Sequence, residues 1–348
     1  MVGVVTGHNT PPRMRALLVE RPGEAHVVDL PVAEPAPGEV LVRVEAAGIC
    51  GSDLELVEGT RPPAYVRYPI VPGHEWAGTV AGVGSDVTNV SPGDLVVAEG
   101  FRSCGACARC REGRTNLCGG EYAETGFTHA GGFAEFVVVP ARLVHVLPPE
   151  TDLSAAALLE PAACVANGLL AAPLQPGLDV AVVGAGSLGL LATALLSLVS
   201  PSRLTLVGTR ADRLALGRRL GASETIDARD ADALHGEFDL VFEAASRSDG
   251  ARAALALARR GGTVILEGLS GDPAPTLSSD EVVLKHLTVQ GIFGASSAAW
   301  HWVVALFSDG LLDPTPLVTH RFALEEHEAA FATLRAREPG ALKVELVP

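Results

Sequence analysis

Four of the chain's six cysteines lie within one segment of fifteen residues, and this clustering limits how the segment can fold. They are Cys104, Cys107, Cys110 and Cys118. Because the thiols are close in sequence, they can surround one ion without the ordering of long loops. Zinc accepts four thiolates in a closed, tetrahedral structural site, with bonds of about 2.3 Å. The spacing therefore predicts a structural zinc ion with a lobe of chain folded around it.

An iron–sulfur cluster and disulfide bonds are the alternative uses of these cysteines. The bacterial ferredoxin pattern places its fourth cysteine after three residues and follows it with proline. Here seven residues separate Cys110 from Cys118, and Gly119 follows. Disulfides are typical of secreted proteins, whereas residues 1–13 lack the apolar segment of a signal peptide and predict a frayed tail. Zinc is therefore the favoured interpretation.

Length and charge exclude some classes of function. A chain of 348 residues exceeds one ordinary core and predicts two domains. The net charge of −15 argues against a nucleic-acid-binding protein, which needs clustered lysine and arginine. Residues 180–200 are uncharged and long enough for a membrane span, but their patterned glycines predict a strand followed by a helix. We therefore expect a cytoplasmic protein with no membrane partner.

The first part of the chain has the pattern of an all-β domain. Short runs rich in β-branched residues are separated by proline–glycine turns at 35–38, 72–73 and 92–93. The predicted strands are 16–20, 40–45, 77–83 and 132–140. The last of them ends at Pro140, as an edge strand does. We predict a barrel-like β domain that carries the cysteine lobe as an excursion.

Near residue 166 the pattern changes to strands that alternate with helices. The predicted strands are 180–184, 204–207, 240–243 and 263–267, and the predicted helices are 188–199, 212–220 and 251–260. Such alternation is typical of a doubly wound parallel sheet in an α/β domain, with both of its faces covered. The second domain is therefore predicted to be a nucleotide-binding fold.

The end of the chain is predicted to return to the first domain. Helices are expected at 297–307 and 324–335, and the last strand, at 343–347, has no obvious place in the parallel sheet. The first domain is accordingly assigned residues 1–165 and 301–348. Residues 166–300 form the inserted second domain.

A glycine loop lies between the first strand and the first helix of the second domain. Its glycines are Gly184, Gly186 and Gly189. In this context they allow a tight turn, close approach of the backbone to a pyrophosphate, and close packing of helix on strand. Ser187 precedes the predicted helix and Leu188 begins it, and the unpaired N–H groups at this end attract phosphate. The loop predicts a dinucleotide site, with a simple strand–helix turn as the alternative.

The end of the next strand selects the coenzyme. An acidic residue there would bind the ribose 2′-hydroxyl of NAD. The chain instead has Gly208, Thr209 and Arg210, with Arg213 one helical turn later. Two guanidinium groups can pair with a 2′-phosphate. NADP is therefore favoured over NAD, the alternative being that both arginines are simply solvated.

Two further segments contain residue types that bind metals. Cys50 lies in Gly-Ile-Cys-Gly-Ser-Asp, and His74 lies in Pro-Gly-His-Glu. Together with the glycine loop and the closing segment 318–322, they resemble the zinc-dependent medium-chain alcohol and polyol dehydrogenases, of the sorbitol and threonine dehydrogenase type. The resemblance runs from about residue 14 to the end of the chain. It implies a GroES-like catalytic domain, a Rossmann domain, and an active site in the cleft between them.

The resemblance implies a second, catalytic zinc ion, and so two zinc ions per chain. Cys50 and His74 would be two of its ligands, and Glu160 would be the third, as in polyol dehydrogenases. Cys164, four residues further on, competes with Glu160 for that place. A Cys/His/carboxylate set leaves zinc an open position, at which it lowers the pKa of an alcohol so that hydride can pass to the nicotinamide.

The resemblance also gives roles to residues around the catalytic ion. Glu75 would lie behind the ligands or act as an exchanging ligand, and Asp53 would orient a ligand. Ser52 would hydrogen-bond the alcohol and pass its proton outward. Many relatives have a histidine where this chain has Glu55, so the proton relay uses either Glu55 or water.

The predicted reaction is hydride transfer between NAD(P) and a secondary alcohol or ketone of polyol, cyclitol or amino-alcohol type. Sorbitol dehydrogenases carry an arginine where this chain has Gly294 and a tyrosine where it has Leu56, so a long sugar alcohol is not expected. A zinc-free quinone or enone reductase of the same fold is one alternative. A non-catalytic NADPH-binding protein is the other.

The resemblance implies a homodimer or homotetramer. Residues 291–304 are apolar and include Trp300 and Trp302. This segment is expected to be either an interface between subunits or part of the core.

Overall fold

The computed structural model describes residues 5–6, 10–245, 247–271 and 276–348. Its strands, in chain order, are β1 Val5–Thr6, β2 Arg13–Arg21, β3 Glu24–Pro31, β4 Glu39–Gly48, β5 Glu75–Val83, β6 Leu95–Ala98, β7 Phe136–Pro140, β8 Val144–Val146, β9 Asp179–Val183, β10 Arg203–Gly208, β11 Glu224–Asp227, β12 Phe238–Glu243, β13 Ala258–Leu266, β14 Thr288–Gly291, β15 Val318–Ala323 and β16 Lys343–Val347. Its α-helices are α1 Gly51–Glu58, α2 Ala108–Arg111, α3 Leu153–Ala157, α4 Leu159–Leu170, α5 Ser187–Ser197, α6 Ala211–Arg219, α7 Ser248–Leu257, α8 Ser279–Lys285, α9 Ser297–Ser308 and α10 His327–Arg335. Contacts divide the chain into two compact units, Met1–Glu160 with Ala295–Pro348, and Pro161–Gly294.

The first unit is organised around β4. Its main sheet has the order β15-β16-β4-β5-β6-β8, while β1 also pairs with β5 and β7 with β4. β4 is buried almost throughout, and its Val40, Val42 and Val44 join Trp76 and Phe133 in the main apolar core. Hairpin β2–β3 forms a separate two-stranded sheet. The core thus holds β4 and β5 firmly side by side.

The last strand of the chain belongs to this sheet. β16 has the bounds predicted for it and pairs antiparallel with β4, where Glu345 lies opposite Gly48. It pairs in parallel with β15 on its other side. The C-terminal segment therefore supplies residues next to the end of β4.

The second unit is a six-stranded parallel sheet in the order β11-β10-β9-β12-β13-β14. β9, β10 and β11 form one half of the sheet, and β12, β13 and β14 form the other. The strand order therefore reverses between β9 and β12, and doubly wound sheets bind ligands at such a point. β9 is apolar and buried, and Leu190, Leu191 and Leu195 of α5 are buried as well. The doubly wound parallel sheet predicted from the alternation is confirmed.

Several predicted bounds differ from the structure: the strand expected at 132–140 begins at Phe136, and the helix expected at 324–335 begins at His327. The helix expected at 251–260 ends earlier, because Ala258 pairs with Phe238 and begins β13. The tail expected at 1–13 contains β1, which pairs with β5, and Arg13 begins β2. Residues 1–4 and 7–9 lie outside the described part of the chain.

The apolar segments behave as parts of a folded core. Residues 180–200 are divided between β9 and α5, as predicted. Within the described ranges, no helix combines the length and apolar character needed to cross a membrane. Trp300 is 2 % exposed and stacks on His145 with ring centroids 5.8 Å apart, so it is a core residue.

Candidate active site

The pairing of β4 with β5 brings Cys50 and His74 together. In this antiparallel pair Gly48, the last residue of β4, lies opposite Glu75, the first residue of β5. Cys50 follows Gly48 by two residues and His74 precedes Glu75 by one. The Cys50 and His74 segments, which are distant in sequence, therefore meet at one end of the sheet.

Asp53 connects the two segments. Cys50 is the N-cap of α1, and its backbone N–H donates to Oδ2 of Asp53 over 2.9 Å. Oδ1 of Asp53 lies 3.3 Å from Nδ1 of His74, and neither atom has another hydrogen-bond partner among the described residues. A histidine held in this way through Nδ1 presents Nε2 to a metal, which is the usual arrangement of carboxylate, histidine and zinc.

The surroundings of His74 favour a positive charge. Burial opposes protonation of its imidazole, but the carboxylate of Asp53, a hydrogen bond with Cys50 and the charge of Glu160 outweigh that effect. Together they raise the pKa of His74 well above its ordinary value. A site that stabilises an imidazolium stabilises a metal cation for the same electrostatic reason. The site therefore has both the donors and the negative charge that zinc requires.

Glu75 is part of the compact group of possible ligands. The ligand atoms of Cys50, His74 and Glu75 all lie within 4.8 Å of one another. Gly48 makes this possible, because a Cβ at that position would overlap Oε2 of Glu75. Lys343 of β16 donates a hydrogen bond to the same carboxylate. Glu75 is thus shared between a buried cation and the candidate metal centre.

Glu160 lies at the edge of this group rather than within it. It is in the first turn of α4 and 9 % exposed, and its charge contributes to the raised pKa values of His74 and Lys343. It is not among the ligand atoms within 4.8 Å of one another. Cys164 is half-buried on the same helix, four residues later. Glu160, the residue predicted as the third zinc ligand, therefore acts electrostatically on His74.

The other residues named for this site lie on α1 or at the end of the second unit. Ser52 and Glu55 are half-buried on α1, three residues apart and so on one side of the helix. Leu56 is fully buried in the apolar core. Gly294 has φ of +63°, a left-handed conformation that disfavours a larger side chain.

The cysteine lobe has the geometry of a thiolate metal site. The four sulfur atoms of Cys104, Cys107, Cys110 and Cys118 lie within 4.8 Å of one another, and none forms a disulfide. Sγ of Cys110 lies 3.5 Å from that of Cys107 and 4.0 Å from that of Cys104. Tetrahedral zinc with bonds of about 2.3 Å requires separations of about 3.8 Å. The cysteines are therefore placed to bind one ion, and the disulfide alternative is wrong.

Backbone N–H groups stabilise the thiolate form of Cys104 and Cys107, whereas burial raises the pKa of Cys110 to about 11. The N–H of Gly119 donates to Sγ of Cys107 over 3.4 Å, and that of Cys107 donates to Sγ of Cys104 over the same distance. Hydrogen bonds from Cys110 and Gly119 lower the pKa of Cys107 to about 6. Thiolate is the form that binds metal.

The glycine loop has the backbone geometry expected of a dinucleotide site. A Cβ on Gly189 would overlap the carbonyl oxygen of Gly184, so that α5 packs closely against the loop. Gly186 is the N-cap of α5 and faces open space. Ser187 and Leu188 begin the helix, and their N–H groups are at its positive end. A phosphate can therefore approach the backbone at Gly186.

Arg210 already has an acidic partner. Gly208 ends β10, Thr209 follows, and Arg210 is the N-cap of α6. The guanidinium of Arg210 pairs with Asp212 at 2.9 Å, and this pairing lowers the pKa of the Asp212 carboxyl. Arg213 is half-buried on the same helix. Asp212 was not predicted as the partner of Arg210, and its carboxylate fixes the position of the guanidinium.

Two features near the candidate metal centre were not predicted from the sequence. Lys343 is buried next to Glu75, and its only sequence signal is its place in a strand that is apolar apart from Lys343 and Glu345. Arg61, Tyr122 and Glu124 form a second buried polar cluster. Because these residues come from loops distant in sequence, no motif identifies them.

The chain matches the profiles of two protein families. The alcohol dehydrogenase GroES-like domain matches residues 36–149, and the zinc-binding dehydrogenase domain matches residues 187–309. L-threonine 3-dehydrogenase of Bacillus velezensis is 35% identical over 334 residues, which are 93% of this chain and 95% of that protein. D-altritol 5-dehydrogenase of Agrobacterium fabrum is 35% identical over 338 residues, covering 95% and 99% of the two proteins.

A solved structure has the same architecture over nearly the whole chain. It is assigned as a zinc-binding dehydrogenase from Sinorhizobium meliloti 1021 and is bound to NADP. It is 30% identical, has a TM-score of 0.89, and covers 97% of this chain and 100% of its own. The predicted family and fold are thereby confirmed. The chain belongs to the zinc-type medium-chain alcohol and polyol dehydrogenases, and it is an alcohol dehydrogenase-type oxidoreductase whose cofactors are zinc and a nicotinamide coenzyme.

Proposed function

We propose that this protein interconverts a small polar secondary alcohol and its ketone, with NADP as coenzyme and two zinc ions per chain. The observation that carries the proposal is the buried group of Cys50, His74 and Glu75, with Asp53 hydrogen-bonded behind it. The thiol and the imidazole supply two donors of a catalytic zinc site, and the carboxylate of Glu160, whose charge acts on His74, would supply the third. The four-cysteine lobe would hold the second ion.

The residues of the first unit divide the work at the catalytic centre. Cys50, His74 and Glu160 would hold the zinc ion, which when bound supplies a Lewis acid that lowers the pKa of the substrate hydroxyl. Asp53 fixes the orientation of the His74 ring through Nδ1. Glu75, held by Lys343, would stabilise the cation from behind or exchange with Glu160 as a ligand.

The hydroxyl proton needs a path to solvent, and α1 supplies one. Ser52 Oγ would accept the proton from the substrate oxygen and donate its own to Glu55 or to water. Both side chains are half-buried on one side of a helix that begins at Cys50, which supports this assignment. Glu55→Gln should slow turnover if the carboxylate is the relay and leave it unchanged if water is.

The coenzyme is proposed to be NADP. None of Gly208, Thr209 and Arg210 at the end of β10 carries the carboxylate that would bind the ribose 2′-hydroxyl of NAD. Arg210 and Arg213 would pair with the 2′-phosphate. Solved relatives with the same fold are bound to NADP and to NADH, so the choice rests on Arg210 and Arg213.

The substrate is proposed to be a secondary alcohol with neighbouring polar groups. The names of the two curated relatives place their reacting carbons at position 3 of L-threonine and position 5 of D-altritol. Both carbons carry secondary hydroxyl groups next to other polar groups. Leu56 and Gly294 lack the side chains that grip sorbitol, so we propose amino alcohols, cyclitols or short polyols.

Metal analysis combined with a coenzyme-linked activity screen tests the proposal. After dialysis the protein should hold two zinc ions per chain and should reduce NADP with at least one alcohol of a panel of secondary alcohols, amino alcohols and cyclitols. One zinc ion per chain, with enone reduction instead of alcohol oxidation, would favour the zinc-free reductase. Coenzyme binding with no turnover of either substrate class would contradict both reactions.

We also propose that the chain forms a homodimer or homotetramer in the cytoplasm. Within the described residues β14 is the last strand of its sheet and pairs with β13 alone, and Val283 and Leu284 of the neighbouring α8 are 75 % and 73 % exposed. An unpaired edge beside exposed apolar side chains suits a second copy of the chain. The double variant Val283→Glu, Leu284→Asp should lower the mass measured by light scattering.

The proposed location in the cytoplasm is supported by the cysteines. Free thiols at all six cysteines suit a reducing compartment.

A further inference from the structure

Arg61, Tyr122 and Glu124 form a buried polar cluster in the first unit. The side chains of Arg61 and Glu124 are only 8 % and 6 % exposed. Nη2 of Arg61 donates to the hydroxyl of Tyr122 over 3.2 Å, and that hydroxyl donates to Oε2 of Glu124. Nε of Arg61 donates to the carbonyl of Tyr65 over 3.1 Å. Two hydrogen bonds therefore hold the guanidinium in one orientation.

One aromatic ring separates this cluster from the candidate metal centre. Cζ of Arg61 lies 3.6 Å from the centroid of the Phe127 ring, and the His74 ring centroid lies 4.8 Å from the same centroid. The charges of His74, Asp53 and Glu160 all act on Glu124. Arg61 and His74 thus pack against the same ring, which places the guanidinium close to the candidate metal centre.

The ion pair of Arg61 with Glu124 is long, and it leaves part of the guanidinium without a partner in the described part of the chain. Its Nη2 is 3.7 Å from Oε2 of Glu124, which is beyond a good hydrogen bond, and Nη1 has no hydrogen-bond partner among the described residues. Burial, the largest cause, raises the pKa of Glu124 to about 8 despite the opposing charges of His74 and Arg61. The guanidinium therefore has donor capacity left for an anionic ligand.

We propose that Arg61 forms an anion subsite beside the Cys50–His74 centre and selects secondary alcohols that carry a carboxylate. The inference rests on the proposed function and narrows its substrate class. The planar fork of a guanidinium matches the two oxygens of a carboxylate, and the Phe127 face and the Tyr122 hydroxyl hold that fork in place. Arg61 is a specificity residue in this role, and Tyr122 and Glu124 are positioning residues.

Matched acids and amides test the subsite. Lactate, 3-hydroxybutyrate and threonine place the carboxylate at different distances from the hydroxyl, and each has a neutral amide with the same skeleton. For at least one pair, kcat/KM of the wild-type protein should favour the acid by about 10- to 100-fold, the range expected for a charged hydrogen bond. Arg61→Gln should remove this preference by lowering the value for the acid while that for the amide stays near the wild-type value.

The control is Arg67→Gln, which removes a 55 % exposed arginine paired with Glu121 in the same loop. It should leave the preference unchanged. If Arg61→Gln does not fold, Arg61→Lys keeps the charge without the fork and Tyr122→Phe removes one anchor of the guanidinium. Each should retain turnover of the amide and lose part of the preference for the acid.

A binding measurement separates failure of this inference from failure of the proposed function. Titration calorimetry of the acids and amides into the zinc-loaded protein with reduced coenzyme reports affinity without turnover. Turnover of neutral secondary alcohols, with acids and amides equal in both kcat/KM and affinity, would overturn the subsite and keep the proposed function. Equal losses for acid and amide in Arg61→Gln would show that Arg61 is only structural. Absence of turnover with every alcohol would reject the proposed function, and the affinities would then decide the subsite alone.

Discussion

The ammonium group of Lys343 and the carboxylate of Glu75 form an ion pair closed to solvent, with side-chain exposures of 5 % and 1 %. Lys343 begins β16 and Glu75 begins β5, and β4 lies between the two strands. The carboxylate of Glu75 lies beside Gly48 at the end of β4, where the absence of a side chain leaves space for it. Burial tends to lower the pKa of Lys343, but the charges of Glu75 and Cys50 reverse this and raise it. The last strand of the chain is thus tied electrostatically to the candidate metal centre.

Removal of one partner should destabilise the first unit strongly. Lys343→Met leaves the Glu75 carboxylate buried and unpaired, which should lower the free energy of unfolding by about 3–5 kcal/mol. The double variant Lys343→Met, Glu75→Gln should recover most of the loss, because no charge then remains unpaired. Urea denaturation measures both. Arg335→Gln, which breaks an exposed pair with Glu58, should cost less than about 1 kcal/mol. Equal losses in the single and double variants would show that the charge is not the cause.

The buried carboxyl of Glu345 should make stability depend on pH. Burial, only partly opposed by Ser154 and Arg321, raises the pKa of Glu345 from 4.5 to about 7. Between these two values the folded protein holds a proton that the unfolded chain has lost, so stability falls as pH rises, by up to about 3 kcal/mol in total. Glu345→Gln accepts the same hydrogen bond from Ser154 and has no proton to lose. It should therefore gain stability relative to the wild type between pH 5 and pH 8.

Denaturation curves at pH 5, 6, 7 and 8 measure this difference. Glu328→Gln, at an exposed position on α10, is the control and should follow the wild-type curve at each pH. A constant difference between Glu345→Gln and wild type across the range would refute the assignment to Glu345.

Arg210 and Asp212 should set the coenzyme preference. Arg210→Ala should weaken NADPH binding by about 1.5–3 kcal/mol, the value of a lost charged hydrogen bond, and leave NADH nearly unchanged. Asp212→Asn frees the guanidinium and removes a carboxylate that competes with phosphate, so it should tighten NADPH. Fluorescence titration of both coenzymes measures these changes, with the exposed Arg218→Ala as the control. Equal losses of NADPH and NADH in Arg210→Ala would contradict a phosphate contact.

Sequence pattern was sufficient for features that repeat along the chain. The alternation of strands and helices after residue 166 predicts the parallel sheet, because period and turn residues are local signals. The end of α7 was misplaced because Ala258 forms part of β13 only through its pairing with Phe238. A local pattern does not contain such a partner.

The candidate site depended on pairing between distant segments. Cys50 and His74 were identified from motifs, and the pairing of Gly48 with Glu75 explains why they meet. Lys343 and Arg61 were not predictable, since their burial follows from strand order and from loops that pack across the unit. The same limit applies to Asp212, whose pairing with Arg210 requires side-chain positions.

The two proposed metal sites should differ in what their loss does. Cys50→Ala and Cys110→Ser should each lower zinc content from two ions per chain to one. Cys50→Ala should abolish turnover with little change in Tm, because the half-buried Cys50 side chain is not part of the apolar core. Cys110→Ser should lower Tm, because structural zinc contributes folding free energy to the lobe that it holds.

Cys164→Ser should keep both ions if Glu160 is the third ligand, and loss of one ion in that variant would assign the ligand to Cys164 instead. Zinc analysis and thermal denaturation of all three variants separate these outcomes, and a Cys110→Ser protein with unchanged Tm would reject a structural role for the cysteine lobe.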